Sequence, residues 1–125
     1  MSLTALMTAA LLGQSAFSLG IETPGAEKVP DVAYEELATG RADAALRKLE
    51  ASDAAKSQDP ATLINLGTAY AGAGQADKAI ASYRAAIASS DRYDLELADG
   101  TWMDSRVAAR TALKRLLGTI AQASR

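Results

Sequence analysis

The chain has 125 residues, enough for one small domain with a modest core, and its 13 Lys and Arg nearly balance 15 Asp and Glu. That balance leaves no concentrated basic face for nucleic acid. With no Cys and no His, the chain lacks disulfides, thiolate metal sites and a lipidated N-terminal Cys, and it lacks the commonest general base and metal ligand. Alanine is abundant and aromatics are few, a mix that suits closely packed helices.

Leu3 to Leu12 form an apolar run, followed by the small and polar residues Gly13 to Ser18. The run is about half the ~20 residues a membrane-spanning helix needs. Its length and its tail predict a secretory signal peptide over 1–18, with Ala16 and Ser18 as the small residues before a cut after Ser18. No Lys or Arg precedes the run. An apolar helix packed on the rest of the chain and an uncleaved anchor are the alternatives. Residues 19–30 hold Pro24-Gly25 and Pro30 and predict a flexible leader.

A 34-residue period follows. Gly40/Gly74, Ala42/Ala76, Asp43/Asp77, Ala45/Ala79, Ala51/Ala85 and Ala54/Ala88 are identical at that offset, and Val29, Val32 and Ala33 lie over Leu63, Leu66 and Gly67. Each unit is expected to be a helix, a tight turn and an antiparallel helix. The first pair is placed at 31–39 and 42–56, the second at 60–73 and 76–90. Gly40 and Gly74 stand where a left-handed residue ends a helix. Asp59-Pro60 reads as an N-cap followed by Pro at the first helical position. Asp43 and Asp77 fall in first turns, at the positive end of the macrodipole. Gly67 and Ala79 are expected to meet at the helix crossing, with Leu63, Leu66, Tyr70 and Tyr83 around them.

After Ser90 the period fails. Tyr93-Asp94-Leu95-Glu96-Leu97 alternates apolar and acidic residues, and Ala98-Asp99-Gly100 gives a turn signal, within a stretch read as an acidic solvated loop paired with Arg92 and Arg106. It fails the calcium-loop pattern, which needs Gly at the sixth position and an oxygen ligand at the fifth. Thr101 and Asp104 resemble a capping box, and Val107 to Ala123 reads as an amphipathic helix. Ala109, Leu113, Leu116, Leu117 and Ile120 share its apolar face, Arg106, Arg110, Lys114 and Arg115 lie largely away from it, and Gly118 is a possible end or kink. The helix is the natural cap for a stack of hairpins. Trp102 is expected to anchor the core beside it.

Leu63, Leu66-Gly67, Tyr70, Ala79, Tyr83 and Ala86 carry a resemblance to the tetratricopeptide repeat family, strong over 60–93 and weaker over 26–59. The first unit has Val32, Ala33 and Glu36 where the family has Leu-Gly-x2-Tyr, and Asp91 replaces the Pro that usually closes the second, so that helix is expected to run on slightly. The resemblance implies an all-α fold of two helical-hairpin repeats, a degenerate one over 31–59 and a second over 60–93, with residues 94–125 as acidic loop and capping helix. It also implies a concave groove lined by Asp31, Tyr34, Leu37, Ile64, Asn65, Thr68 and Ala71. Some relatives use an Asn at the position of Asn65 to hold a peptide carboxylate, together with flanking Lys and Arg. Here Pro30 and Tyr34 flank it instead, so no carboxylate clamp is expected.

The adjacent Glu35 and Glu36 point in different directions on a short helix and do not pair for hydrolysis. With no His, a conventional serine triad cannot form. The expectation is therefore a non-catalytic interaction module without cofactor or metal, periplasmic or secreted, binding a protein or peptide. A homodimer is possible, and neither nucleic acid nor stable membrane insertion after signal cleavage is expected. The alternatives are a purely structural, self-associating module and a membrane-tethered form.

Overall fold

The computed structural model describes residues 17–18 and 32–124. Within these the protein is mainly helical. The elements are β1 (Phe17–Ser18), α1 (Tyr34–Ala38), α2 (Ala42–Ala51), a 3-10 turn (Ala54–Lys56), α3 (Pro60–Gly72), α4 (Ala76–Ala88), β2 (Asp94–Leu97), β3 (Trp102–Asp104) and α5 (Ser105–Ala123). The expected signal peptide and leader lie outside the described residues, apart from β1, as does Asp31. No helix of the described residues is long and apolar enough to cross a membrane.

The 34-residue period reappears as hydrogen bonding. Gly74, at φ 78°, donates to the Ala71 carbonyl, and Gln75 reaches back to Tyr70. One period earlier Gly40, at φ 74°, donates to Leu37, and Arg41 reaches back to Glu36. Both are Schellman endings, which satisfy the last carbonyls of a helix and turn the chain left-handed at a residue without a Cβ. Each ending delivers the chain directly into the next helix, so α1–α2 and α3–α4 are antiparallel hairpins. Asp59 caps α3 as expected, accepting from the Thr62 amide at 3.0 Å and the Thr62 hydroxyl at 2.7 Å.

Element ends differ from expectation. α1 begins only at Tyr34, after Ala33 in the left-handed region at φ 60°. α2 stops at Ala51, and Asp53 at φ 56° redirects the chain into the 3-10 turn. α4 ends at Ala88 instead of running on past residue 90: Ser89 is extended, and its hydroxyl is held by the Gln58 carbonyl. α5 passes through Gly118 without interruption to Ala123.

α3 is the hub. It packs against α4, α2, α5, the 3-10 turn and α1, and every residue from Pro60 to Tyr70 is buried. The sequence carries the reason: Pro60–Gly72 has no charged residue, and a helix without a polar face is buried on all sides. The α3–α4 contact is closer than residue types alone indicate. Gly67 faces the Tyr83 ring: a Cβ built at Gly67 stands 2.6 Å from Tyr83 Cε1. α5 packs on both α4 and α3, closing the end of the stack through Ser105, Ala108, Ala109 and Ala112.

A three-stranded antiparallel sheet, order β1-β2-β3, is the feature an all-α expectation lacks. The alternation over Tyr93–Leu97 holds the strand Asp94–Leu97, and Gly100 at φ 82° closes a hairpin in which the Leu97 amide donates to the Thr101 carbonyl at 2.7 Å and the Gly100 amide donates to the Leu97 carbonyl at 2.9 Å. Leu95 is the strand's buried anchor. The capping box fails: Asp104 alone is the N-cap of α5, accepting from the amides of Arg106 and Val107, while Trp102 and Met103 belong to β3. Arg92 pairs with Asp104 at 2.6 Å as expected, but Arg106 donates to the Ser89 carbonyl at 3.2 Å.

Candidate interaction surface

The residues expected to line a groove divide by burial. Leu37 is in the core between the two hairpins. Ile64 and Asn65 are 0% exposed, and Thr68 is 1% exposed. Thr68 faces α4: its hydroxyl donates to the Ile64 carbonyl at 3.0 Å and shares a 3.0 Å hydrogen bond with Tyr83 Oη. Asn65 Nδ2 donates to the Val32 carbonyl at 3.1 Å, tying α3 to the start of the first hairpin. Its Oδ1 is buried without a hydrogen-bond partner. Ala71 and Tyr34 are half-buried and sit at the margin of the core. Of the described residues in this set, Tyr34 and Ala71 keep exposed surface, while Leu37, Ile64, Asn65 and Thr68 are enclosed. The cause is the central position of α3, which leaves no stripe of that helix open.

The β2–β3 hairpin reaches this same margin. Glu96 lies close enough to Tyr34 for its carboxylate to add to the rise in the phenol's pKa, which burial drives first. Tyr34 Oη has no hydrogen-bond partner. At the foot of the hairpin Tyr93 bonds Asp59 through its hydroxyl, and Ser105 donates its amide to the Tyr93 carbonyl at 2.9 Å. Burial first, then the Asp59 hydrogen bond, raise the Tyr93 pKa. The hairpin is thus fastened to the N-termini of both α3 and α5.

Trp102 is 53% exposed, not a core anchor. It lies on β3, opposite Glu96, on the strand whose outer edge pairs with nothing among the described residues. Tyr93 is also exposed. These residues and Glu96 were no part of the groove expected from the helices; the Tyr93–Leu97 alternation was their signal. On α5, Val107 and Leu117 are 44% and 43% exposed. Among the described residues no cluster of three or more acidic side chains is placed to hold a metal ion. An open depression of about 330 Å³ lies between Gly40–Ala44, Arg47 and Gly72.

No protein-family model matches the chain, and comparison with curated proteins and with solved structures gives no match.

Proposed function

We propose that this chain is an exported, non-catalytic protein-interaction module of the tetratricopeptide-repeat type. Its partner is a protein segment received at the margin where Tyr34 meets the hairpin at Glu96. The supporting observation is the pair of Schellman endings at Gly40 and Gly74, one sequence period apart. They make the two helical hairpins correspond in backbone geometry as well as in sequence. Stacked hairpins of this kind present extended surface rather than an enclosed reaction centre. Tyr34 and Trp102 supply large, rigid apolar area on that surface, and backbone and side-chain polar groups orient the guest.

The test compares partner capture from the export compartment by the native chain, by a Tyr34→Ala/Trp102→Ala variant and by Arg84→Ala, a change on the exposed face of α4. The double variant is expected to lose capture while keeping its helical circular dichroism at the assay temperature. Undiminished capture would remove this margin as the contact surface.

A second reading, self-association without a foreign partner, is favoured by Val107 and Leu117, which leave apolar surface bare on α5. Sedimentation equilibrium separates the two readings: a mass that doubles with concentration and returns to monomer on Leu117→Asp supports self-association.

A further inference from the structure

β2 has two edges, and the chain fills them differently. Along one, β3 pairs in hairpin register, Leu95 with Met103 and Glu96 with Trp102. Along the other, among the described residues, lies β1, with Phe17 opposite Leu97 and Ser18 opposite Glu96. Backbone groups of a strand point alternately to its two sides. The Leu97 amide donates to Thr101 and its carbonyl accepts from Gly100, so both Leu97 groups face β3. The amide and carbonyl of Glu96 therefore face β1, and Ser18 is the residue that satisfies them.

Ser18 is also the last residue of the expected signal peptide. Export with a cut at that bond removes β1 entirely and leaves Glu96 with an unmatched amide and carbonyl on a strand whose inner side is pinned by buried Leu95. Such an edge is a template for another strand. We propose that this edge of β2 is a strand-addition site, held by β1 of the signal segment before cleavage and by an extended segment of a partner protein afterwards. The proposal deepens the interaction-module reading and rests on its export component. The register states the guest's chemistry: an antiparallel strand with an apolar residue opposite Leu97 and a polar one opposite Glu96. β2 presents Asp94 and Glu96, and Asp104 stands across from Asp94 on β3. Asp104 is paired with Arg92, but Asp94 and Glu96 leave negative charge on β2, so a cationic residue opposite Glu96 is preferred over Ser. Main-chain bonding then supplies affinity, and the alternate side chains supply choice.

The Glu96 amide is the reporter, followed by NMR hydrogen exchange in the full chain, in the chain recovered after export, and in a full-chain Ser18→Pro variant, which lacks the amide that donates to the Glu96 carbonyl and so loosens the β1–β2 pair that covers the Glu96 amide. The probe is a synthetic peptide of residues 13–20. In the full chain the Glu96 amide is expected to exchange about tenfold more slowly than in the exported chain or in Ser18→Pro. Added peptide restores slow exchange in both, and a peptide carrying Ser18→Lys binds about two- to fivefold tighter at low salt. A Glu96 amide still protected in the exported monomer without peptide overturns the proposal, because another part of the chain then covers the edge. Protection that rises with protein concentration alone also overturns it, in favour of a second copy as occupant. An exported chain with Met1 intact defeats cleavage after Ser18 but not the site, which Ser18→Pro with peptide still tests. Failure of the peptide to protect Glu96 in that variant defeats the site.

Discussion

Replacing Gly67 with Ala is the sharpest test of the α3–α4 contact. In an ordinary helical position the change is stabilising by about 1 kcal/mol, through helix propensity. Here the new methyl would stand 2.6 Å from Tyr83 Cε1 and 2.7 Å from Cδ1, inside van der Waals contact with a buried ring. The ring has to move, and overpacking of this kind costs about 1–3 kcal/mol. Movement of Tyr83 also strains its hydrogen bond to Thr68, and leaving a buried hydroxyl unpaired costs about 1–3 kcal/mol more. Subtracting the propensity gain leaves a net destabilisation of roughly 1–5 kcal/mol. For a domain of this size, 2 kcal/mol lowers the melting temperature by roughly 8–16 °C. Gly118→Ala is the internal control: nothing lies within 4 Å of its added Cβ, so the same chemical change on α5 should raise stability by up to about 1 kcal/mol. Both are read by thermal and urea unfolding followed by far-ultraviolet circular dichroism. If Gly67→Ala stabilises as Gly118→Ala does, the steric argument is refuted.

Further outcomes follow from the same contacts. Asp59→Ala removes the α3 cap and the Tyr93 hydroxyl's partner together, and urea unfolding should show a loss of about 1–2 kcal/mol. Asp53→Gly, at an exposed left-handed residue, should be stabilising by up to about 1 kcal/mol in the same assay. Burial raises the pKa of Tyr34, Tyr83 and Tyr93. The folded state therefore favours their protonated form, and this contribution is whole below the ordinary tyrosine pKa of about 10 and is lost as pH rises past it. Thermal melts should show stability falling above about pH 10, with tyrosinate absorbance appearing together with unfolding. Arg92→Ala should return the Asp104 carboxyl, now held low chiefly by its hydrogen bond to Arg92, towards the ordinary carboxylate range in an NMR titration. Trp102 fluorescence should be quenched readily by acrylamide in the free protein, and a shielded, blue emission would contradict its exposure.

Local features were well encoded in the sequence. The Gly40/Gly74 spacing announced both helix endings, Asp59-Pro60 announced the start of α3, and the lack of charge in Pro60–Gly72 carried the signal for a helix enclosed on every side. What one-dimensional pattern leaves out is which distant element supplies each neighbour. Gly67 asks for something close, and Ala79 and Tyr83 both fall on α4 within reach of it; only the packed geometry selects the aromatic ring. Asn65 and Thr68 are polar, which alone suggests exposure, yet the Asn65 amide nitrogen bonds the Val32 carbonyl and the Thr68 hydroxyl bonds Tyr83 inside, with Asn65 Oδ1 left unpaired. The hairpin was written in the alternation of Tyr93–Leu97, but the acidic residues that also fit a solvated loop masked it, and its partner strands lie on either side of the repeats. Trp102 shows the same limit: an aromatic next to an apolar helix suggests the core, whereas β3 turns it outward.

The sheet has a consequence for how such a molecule can evolve. In a plain stack of helix pairs, an extra pair can be spliced in after the last one, since each new unit rests only on the unit before it. Here the strands between α4 and α5 are stitched at both ends, through Ser89 to Gln58 and through Tyr93 to Asp59 and Ser105. Any unit inserted there would have to break those stitches and carry the strands away from Leu95's seat. The array is closed to lengthening at this joint, and change is channelled instead into the few side chains along the strands themselves.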